Sequence, residues 1–272
     1  MTRLSELGEL GLLAELERRG LIVGVEHDAA QVAGLVLTQD ALVEGTHFRL
    51  GRLSWADLGW RAAAVNISDL AASGAEPLAL LVSLALPGDT DASDVIAFYE
   101  GIAETGVPVV GGDTTAGNEV VVSLTAVGRS ERVPGRAGAV AGDTLVVTGP
   151  LGAAGAAFRA GGYVRPPLRV EEGRRLAASA HALIDVSDGL AVDAGHIASR
   201  SGVRLVVEVE RVPLARGAAV EDLGFGEDFE LLAAVPDAGG FAAIGRVERG
   251  AGVVFLQGGA PLELRGWEHF RS

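Results

Sequence analysis

A two-domain mixed α/β protein of the α+β type is what this sequence predicts, on three observations. Segments of helical and strand-like periodicity alternate along the whole chain. Its 272 residues are 49% hydrophobic, enough for one large or two ordinary cores. A polar, Gly- and Pro-bearing stretch at 129–138 interrupts the alternation near the middle. The expected organisation is residues 1–133 as an N-terminal domain around a mixed sheet and 134–272 as a C-terminal α/β domain.

Each element follows from a local signal. Leu4, Leu7, Leu12, Leu13 and Leu16 lie at helical spacing and predict a helix over 4–19, stopped by Gly20. β-rich runs predict short strands at 21–26, 34–38 and 41–43. Ser54, with Asp57 three residues on, marks the start of an Ala-rich helix that runs to about Ser73, ahead of Gly74. The apolar run Leu78 to Leu86 reads as a buried strand, 92–104 as a helix, and 107–110 and 119–129 as strands. The second half predicts a strand at 143–148, helices at 151–160 and 168–180, a strand at 182–185 and a helix at 188–200. Strands at 203–209, 229–235, 243–248 and 252–256 complete it.

Composition excludes several classes of function. With no Cys there are no disulfides, thiolate metal sites or Cys nucleophile, and a cytoplasmic location is compatible. A net charge of −14 argues against nucleic acid or an anionic membrane as partner. The first residues lack the charged-then-apolar pattern of a signal peptide, and the longest apolar run, 78–87, is too short to cross a bilayer.

The candidate chemistry lies in acids placed in apolar or Gly-rich segments: Asp28, Asp40, Asp69, Asp113, Asp185, Asp188 and Asp228. Such acids are unfavourable unless something positive pairs with them. Few basic residues lie near them in sequence, so a divalent cation is the expected partner. Mg²⁺ takes oxygen ligands and commonly shares them with substrate phosphates. These residues therefore predict a phosphate-handling enzyme with several metal ions.

Single segments leave alternatives open. In G111-G-D-T-T115, two glycines permit backbone amides to face phosphate oxygens beside Asp113, or the segment is a tight turn. Asp188 can be an N-cap, whereas Asp185 follows an apolar strand. Asn66 and Asp69 share one face of the Ala-rich helix, among Ala, Val, Ile and Leu. His47, in E44-G-T-H-F48, is structural or functional. Trp267, in the C-terminal G266-W-E-H-F270, packs or stacks on a planar ring. Neither a P-loop nor a GxGxxG motif is present, so any nucleotide would be held by metals and scattered amides.

Taken in order, these segments resemble the thiamine-monophosphate kinase family of the aminoimidazole-ribonucleotide-synthetase-like superfamily. The resemblance rests on G8-E-L-G-L-L, V43-E-G-T-H-F48, N66-I-S-D-L-A-A-S-G-A-E-P77, G111-G-D-T-T115, R136-A-G-A-V-A-G-D143, D185-V-S-D-G-L190, G226-E-D-F-E-L231 and G266-W-E-H-F270. It implies a PurM-like fold that dimerises through its N-terminal domain and transfers phosphate from ATP to thiamine monophosphate with several Mg²⁺ ions. It implies Mg²⁺ ligands at Asp28, Thr38, Asp40, Asp69, Asp113, Asp185 and Asp188. ATP contacts are implied from Tyr99, Gly112, Asp113, Arg136 and Ser187, and acceptor contacts from His47, Glu227 or Asp228, and Trp267.

The chain departs from the family pattern at Glu26-His27-Asp28-Ala29-Ala30, where His27 replaces an acid, and at Gln39, where Ser or Thr is common. Other readings are a different ATP-using superfamily member, or a nucleotide-binding dimer without catalysis.

Overall fold

A computed structural model of the chain describes residues 3–23 and 27–267. The first helix, α1 (Leu4–Arg18), carries the Leu spacing, but Gly8 at φ 71° kinks its first turn. Residues 21–23 form no strand, and the rest of the strand expected there lies outside the described residues. β1 (Ala30–Val32) and β2 (Leu35–Val43) make a hairpin through Ala33 and Gly34, both at positive φ. This is the two-residue turn whose twist matches that of paired strands. The two short strands expected at 34–38 and 41–43 are one, because Gln39 and Asp40 continue the pairing with Thr125 and Leu124.

The capped helix is α2 (Trp55–Ala72), whose first turn is closed by Ser54 Oγ accepting from the Asp57 amide at 3.1 Å. Then follow β3 (Glu76–Leu86), α3 (Ala92–Ala103), β4 (Val109–Ala116) and β5 (Val121–Arg129). The sheet order is β1-β2-β5-β3-β4, with β3 and β4 parallel and the other pairs antiparallel. Leu80, Val82, Leu84, Val122 and Leu124 form the inner face with Phe98 and Ile102 of α3. The continuous apolar run in β3 is thus not buried throughout: Leu78 and Leu81 are 38% and 40% exposed. The strand expected over 107–110 extends through Gly111–Thr115, although glycines are weak strand formers. Gly112 is required there, because a Cβ would collide with the Val82 carbonyl oxygen.

The second sheet contains β6 (Thr144–Val147), β7 (Ala182–Asp185), β8 (Arg204–Glu208), β9 (Leu231–Val235), β10 (Ala242–Glu248), β11 (Gly252–Gln257) and β12 (Ala260–Leu262). Its order is β12-β11-β8-β10-β6-β9-β7. Helices α4 (Ala153–Arg159), α5 (Val170–Ala177) and α6 (Leu190–Ser201) accompany it. Side chains alternate across the sheet. Leu145, Val147, Ile184 and Leu232 join Leu190 and Ile197 of α6 in one core. Val146, Leu183, Leu231 and Ala233 join Leu176 of α5, and with them Ala71 and Ala72 of α2. The strand β12 and the 3₁₀ turns Val209–Arg211 and Val220–Gly224 were not legible as periodic segments. Among the described residues no helix is long and apolar enough to cross a membrane.

Helix α2 therefore packs against elements of both sheets and is buried along most of its length. Small residues allow this. Gly59 lies against the Phe98 carbonyl of α3, and Gly101 of α3 lies reciprocally against the Ala56 carbonyl. Gly173 of α5 lies against the Ala71 carbonyl. Alanine for glycine in a helix interior is ordinarily favourable by about 1 kcal/mol. At Gly101 the added methyl meets backbone, and forcing extra volume into packed structure costs about 1–3 kcal/mol or more. Gly101→Ala is expected to lower the urea midpoint at unchanged m-value. A midpoint that stays the same or rises would show that the α2–α3 crossing does not depend on this contact.

Candidate active site

The buried C-terminal half of α2 faces β2 on one side and β7 on another. Asn66 and Asp69, on one helix face as their spacing requires, both reach β2. Asn66 Oδ1 accepts from the Asp40 amide at 3.2 Å, and Thr38 Oγ1 donates to Asp69 Oδ2 at 2.5 Å. The intervening Ser68 points elsewhere and donates to Asp185 Oδ2 of β7 at 2.6 Å. Asp28, just before β1, receives Arg136 Nε and Nη2 on Oδ1 at 2.8 and 2.6 Å. Asp28, Asp69 and Asp185 converge so that one ligand oxygen of each lies within 4.8 Å of the others.

Their electrostatics follow from crowding out of water. Burial pushes the Asp185 carboxyl up to about 7, with Asp28 adding to the rise and Ser68 opposing it. Burial, then Asp185, Asp40 and Asp28, hold Asp69 well above the ordinary carboxylate range. Burial raises Asp28 too, but Arg136 opposes it. Asp40 is raised by burial, and the Asp188 charge adds to the rise. Behind them Asp193 of α6 accepts from the Asp188 amide at 3.1 Å and is raised by burial. His196, one turn further on, is pushed down to about 4 by burial, Arg136 and Arg200.

Other sequence-assigned residues lie apart. Asp40 pairs with Leu124, Leu124 with Val82, and Val82 with Gly112, so one row crosses the sheet from β2 to β4. At about 4.8 Å per strand, Asp40 and Gly112 are roughly 14 Å apart. Asp113, the next residue, lies in register with Ser83, Ser123 and Ala41 and so projects from the opposite, helix-free face. Within one chain it does not join the carboxylate cluster. Tyr99 is on α3, edge-on to Phe98 with ring centroids 5.5 Å apart, and burial raises its hydroxyl pKa.

Of the residues expected to meet an acceptor, Glu227 and Trp267 are tied to the loop after β7. The Ser187 carbonyl accepts from the Glu227 amide at 2.8 Å, and the Asp188 carbonyl accepts from the Trp267 amide at 2.9 Å. Glu227 and Phe229 hold positive φ of 58° and 51°. His47 Nδ1 accepts from the Val43 amide at 3.0 Å. Asp228 is buried and accepts from the amides of Gly152 and Ala154 at 2.7 and 3.4 Å, at the start of α4. His27 keeps Nδ1 buried without a partner among the described residues, and the carboxylate group does not include it.

The family described as AIR synthase related protein, N-terminal domain, matches residues 26–130. The chain is 34% identical to the thiamine-monophosphate kinase of Aquifex aeolicus, over 98% of this chain and 100% of that protein. It is 35% identical to the thiamine-monophosphate kinase of Halobacterium salinarum, over 92% and 96%. The chain belongs to the thiamine-monophosphate kinase family. Its fold matches the structure of AaThiL complexed with AMPPCP and TMP at TM-score 0.90, with 33% identity and 99% of both chains covered. The PurM-like fold expected from the sequence is thereby present.

For this kinase-family member the donor set at the cluster fits Mg²⁺. Three desolvated carboxylates face a single guanidinium, and all the convergent ligand atoms are oxygens. Ser68, which holds Asp185, Asp193 behind Asp188, and Arg61, two turns before Ser68 on α2, were not singled out from the sequence. The signal for Arg61 was available: it is an arginine inside an otherwise apolar helix segment, W60-R-A-A-A-V65.

The raised pKa of Asp185 has a definite sign in stability. Unfolded, its carboxyl releases a proton near pH 4; folded, near pH 7. Between those values the folded chain binds more protons, so this contribution is full below about pH 4 and is lost as pH rises through about 7. In chelator, Asp185→Asn is expected to gain stability relative to the natural chain as pH rises across that window, then level off. A stability difference independent of pH in urea titrations would contradict the assignment.

Proposed function

We propose that the chain transfers the γ-phosphoryl group of ATP to thiamine monophosphate, giving thiamine diphosphate by direct in-line displacement. The nearly end-to-end similarity to thiamine-monophosphate kinases, with the carboxylate cluster present, carries this reading. In this proposal residues 1–133 and 134–272 are the two domains of a cytoplasmic enzyme. Asp28, Asp69 and Asp185 hold Mg²⁺, with Thr38, Asp40 and Asp188 completing several sites. When bound, Mg²⁺ screens the phosphate charges.

The protein's own groups then position and orient. Arg136 keeps 27% of its side chain exposed beyond its contact with Asp28, leaving a fixed cation for ATP phosphate. Ser187, Gly112 and Tyr99 contribute further ATP contacts. His47, Glu227 and Trp267 orient the acceptor; Asp228 is left out of this set because its carboxylate is occupied by the amides of α4. The acceptor is already a phosphate and is a competent nucleophile once screened, so no strong base is required and catalysis is positioning and electrostatics.

Transfer of labelled phosphate from ATP to thiamine monophosphate, and not to other phosphorylated acceptors, tests the reaction. Asp69→Asn and Asp113→Asn are each expected to lose about 2 kcal/mol or more of transition-state stabilisation, read as kcat/KM at limiting Mg²⁺. Near-normal turnover of both would reject their roles.

A homodimer is part of the same proposal. Asp113 lies on an edge strand and projects from a sheet face that carries no helix among the described residues, as does Leu81 at 40% exposure, and Val110 of the same strand is 65% exposed. Exposed apolar strand surface of this kind favours a partner. A second copy covering it would bring one chain's Asp113 to the other chain's carboxylate cluster. Mixing inactive Asp69→Asn and Asp113→Asn chains is then expected to restore roughly a quarter of full activity, since a two-fold dimer regains one intact site per mixed pair. Failure to regain activity after verified subunit exchange would place both residues in one chain's site.

A further inference from the structure

We infer that Arg61 is a positioning residue for the acceptor, holding Glu227 at a set distance from the carboxylate cluster. The inference rests on the reading of Glu227 as an acceptor contact. Arg61 lies two turns before Ser68 on α2, and residues seven apart share a helix face. Seven residues of helix span about 10 Å. At one end of that span Ser68 holds Asp185 of the cluster. At the other, Arg61 Nη2 donates to Glu227 Oε1. A single rigid helix face thus sets the spacing between the metal-type carboxylates and the carboxylate facing the acceptor.

Several features make this more than packing. The Arg61 side chain is 6% exposed, while that of Glu227 is 36% exposed, so the pair has a sealed end and an open one. Arg61 Nε is buried without a partner among the described residues, which is an unfavourable environment for a guanidinium serving only the fold. A buried pair is weak as a source of stability, and a well-packed apolar side chain would serve as well. Glu227 also sits at φ 58° in a loop that includes Phe229 at φ 51°. Non-glycine residues at positive φ persist where surrounding contacts over-determine them, and such positions gather at ligand sites. Tyr163, whose hydroxyl is buried without a partner among the described residues, lies within electrostatic reach of both Arg61 and Glu227. Among the described residues, Glu227 is the carboxylate with which the Arg61 guanidinium pairs.

Steady-state kinetics with ATP and thiamine monophosphate separate positioning from structure. Arg61→Met and Arg61→Gln are expected to raise the acceptor KM about tenfold, while the ATP KM and binding of a non-hydrolysable ATP analogue change less than about twofold. Arg61→Lys should recover part of the loss. Arg61→Met combined with Glu227→Gln should be no worse than Glu227→Gln alone, because both act through one contact. If the Met variant does not fold, the Gln and Lys variants carry the same comparison. An unchanged acceptor KM in the Arg61 variants, with a raised one in Glu227→Gln, overturns the inference and leaves Glu227 as an acceptor contact. Additive losses overturn it too. An unchanged acceptor KM in Glu227→Gln itself removes the reading of Glu227, and the inference with it.

Discussion

Like charges packed together with little access to water repel one another, and this protein holds an oxygen from each of three half-buried or buried carboxylates within 4.8 Å. The rest of the fold is arranged around that repulsion. Asp28 is tied down by Arg136, Asp69 by Thr38, and Asp185 by Ser68. The three acids come from separate stretches of chain, before β1, on α2 and at the end of β7, so no single element can relax to separate them. Burial first, and then the neighbouring acids, raise the proton affinities of Asp69 and Asp185. A divalent cation is the partner that would relieve the repulsion, because it adds positive charge without requiring a cavity for a second arginine.

Helix α2 makes the arrangement possible. Its residues meet β2 through Asn66 and Asp69, β7 through Ser68, the second sheet's core through Ala71 and Ala72, and the Glu227 loop through Arg61. A helix that close to so many neighbours must be built from small side chains, which explains its alanines and its glycine contact with α3. The cost of the Ala-rich face is a modest apolar area per residue, offset by burial on more than one side. Trp60 and Arg165 extend the same joint: Trp60 Nε1 donates to the Pro166 carbonyl at 3.0 Å, and Arg165 pairs with Asp57 at 2.6 Å.

Much of the fold and part of the site were legible in the sequence, and the difference is physical. Periodicity and caps located α2, α3, α6 and the strands with alternating side chains, because those signals are local. β4 was read short because its glycines conceal a strand that pairing with β3 enforces. The helical face shared by Asn66 and Asp69 was predictable from a spacing of three. Acids in apolar surroundings marked Asp28, Asp69 and Asp185, and the fold brings those three together. The same signal also marked Asp228, whose carboxylate instead satisfies the amides at the start of α4, a use that composition does not distinguish from metal ligation.

By itself, then, the sequence determined the elements, the family and the inventory of acids, since each is written in local pattern or in collinear motifs. Only the tertiary structure decided which acids meet. The pairing register through β5 and β3 puts Gly112 roughly 14 Å from Asp40 and sends the next residue, Asp113, to the far face. Arg61 reaches Glu227 across 166 residues of chain. Contacts of that separation depend on how two sheets close around one helix, and nothing in the residues flanking either partner specifies it.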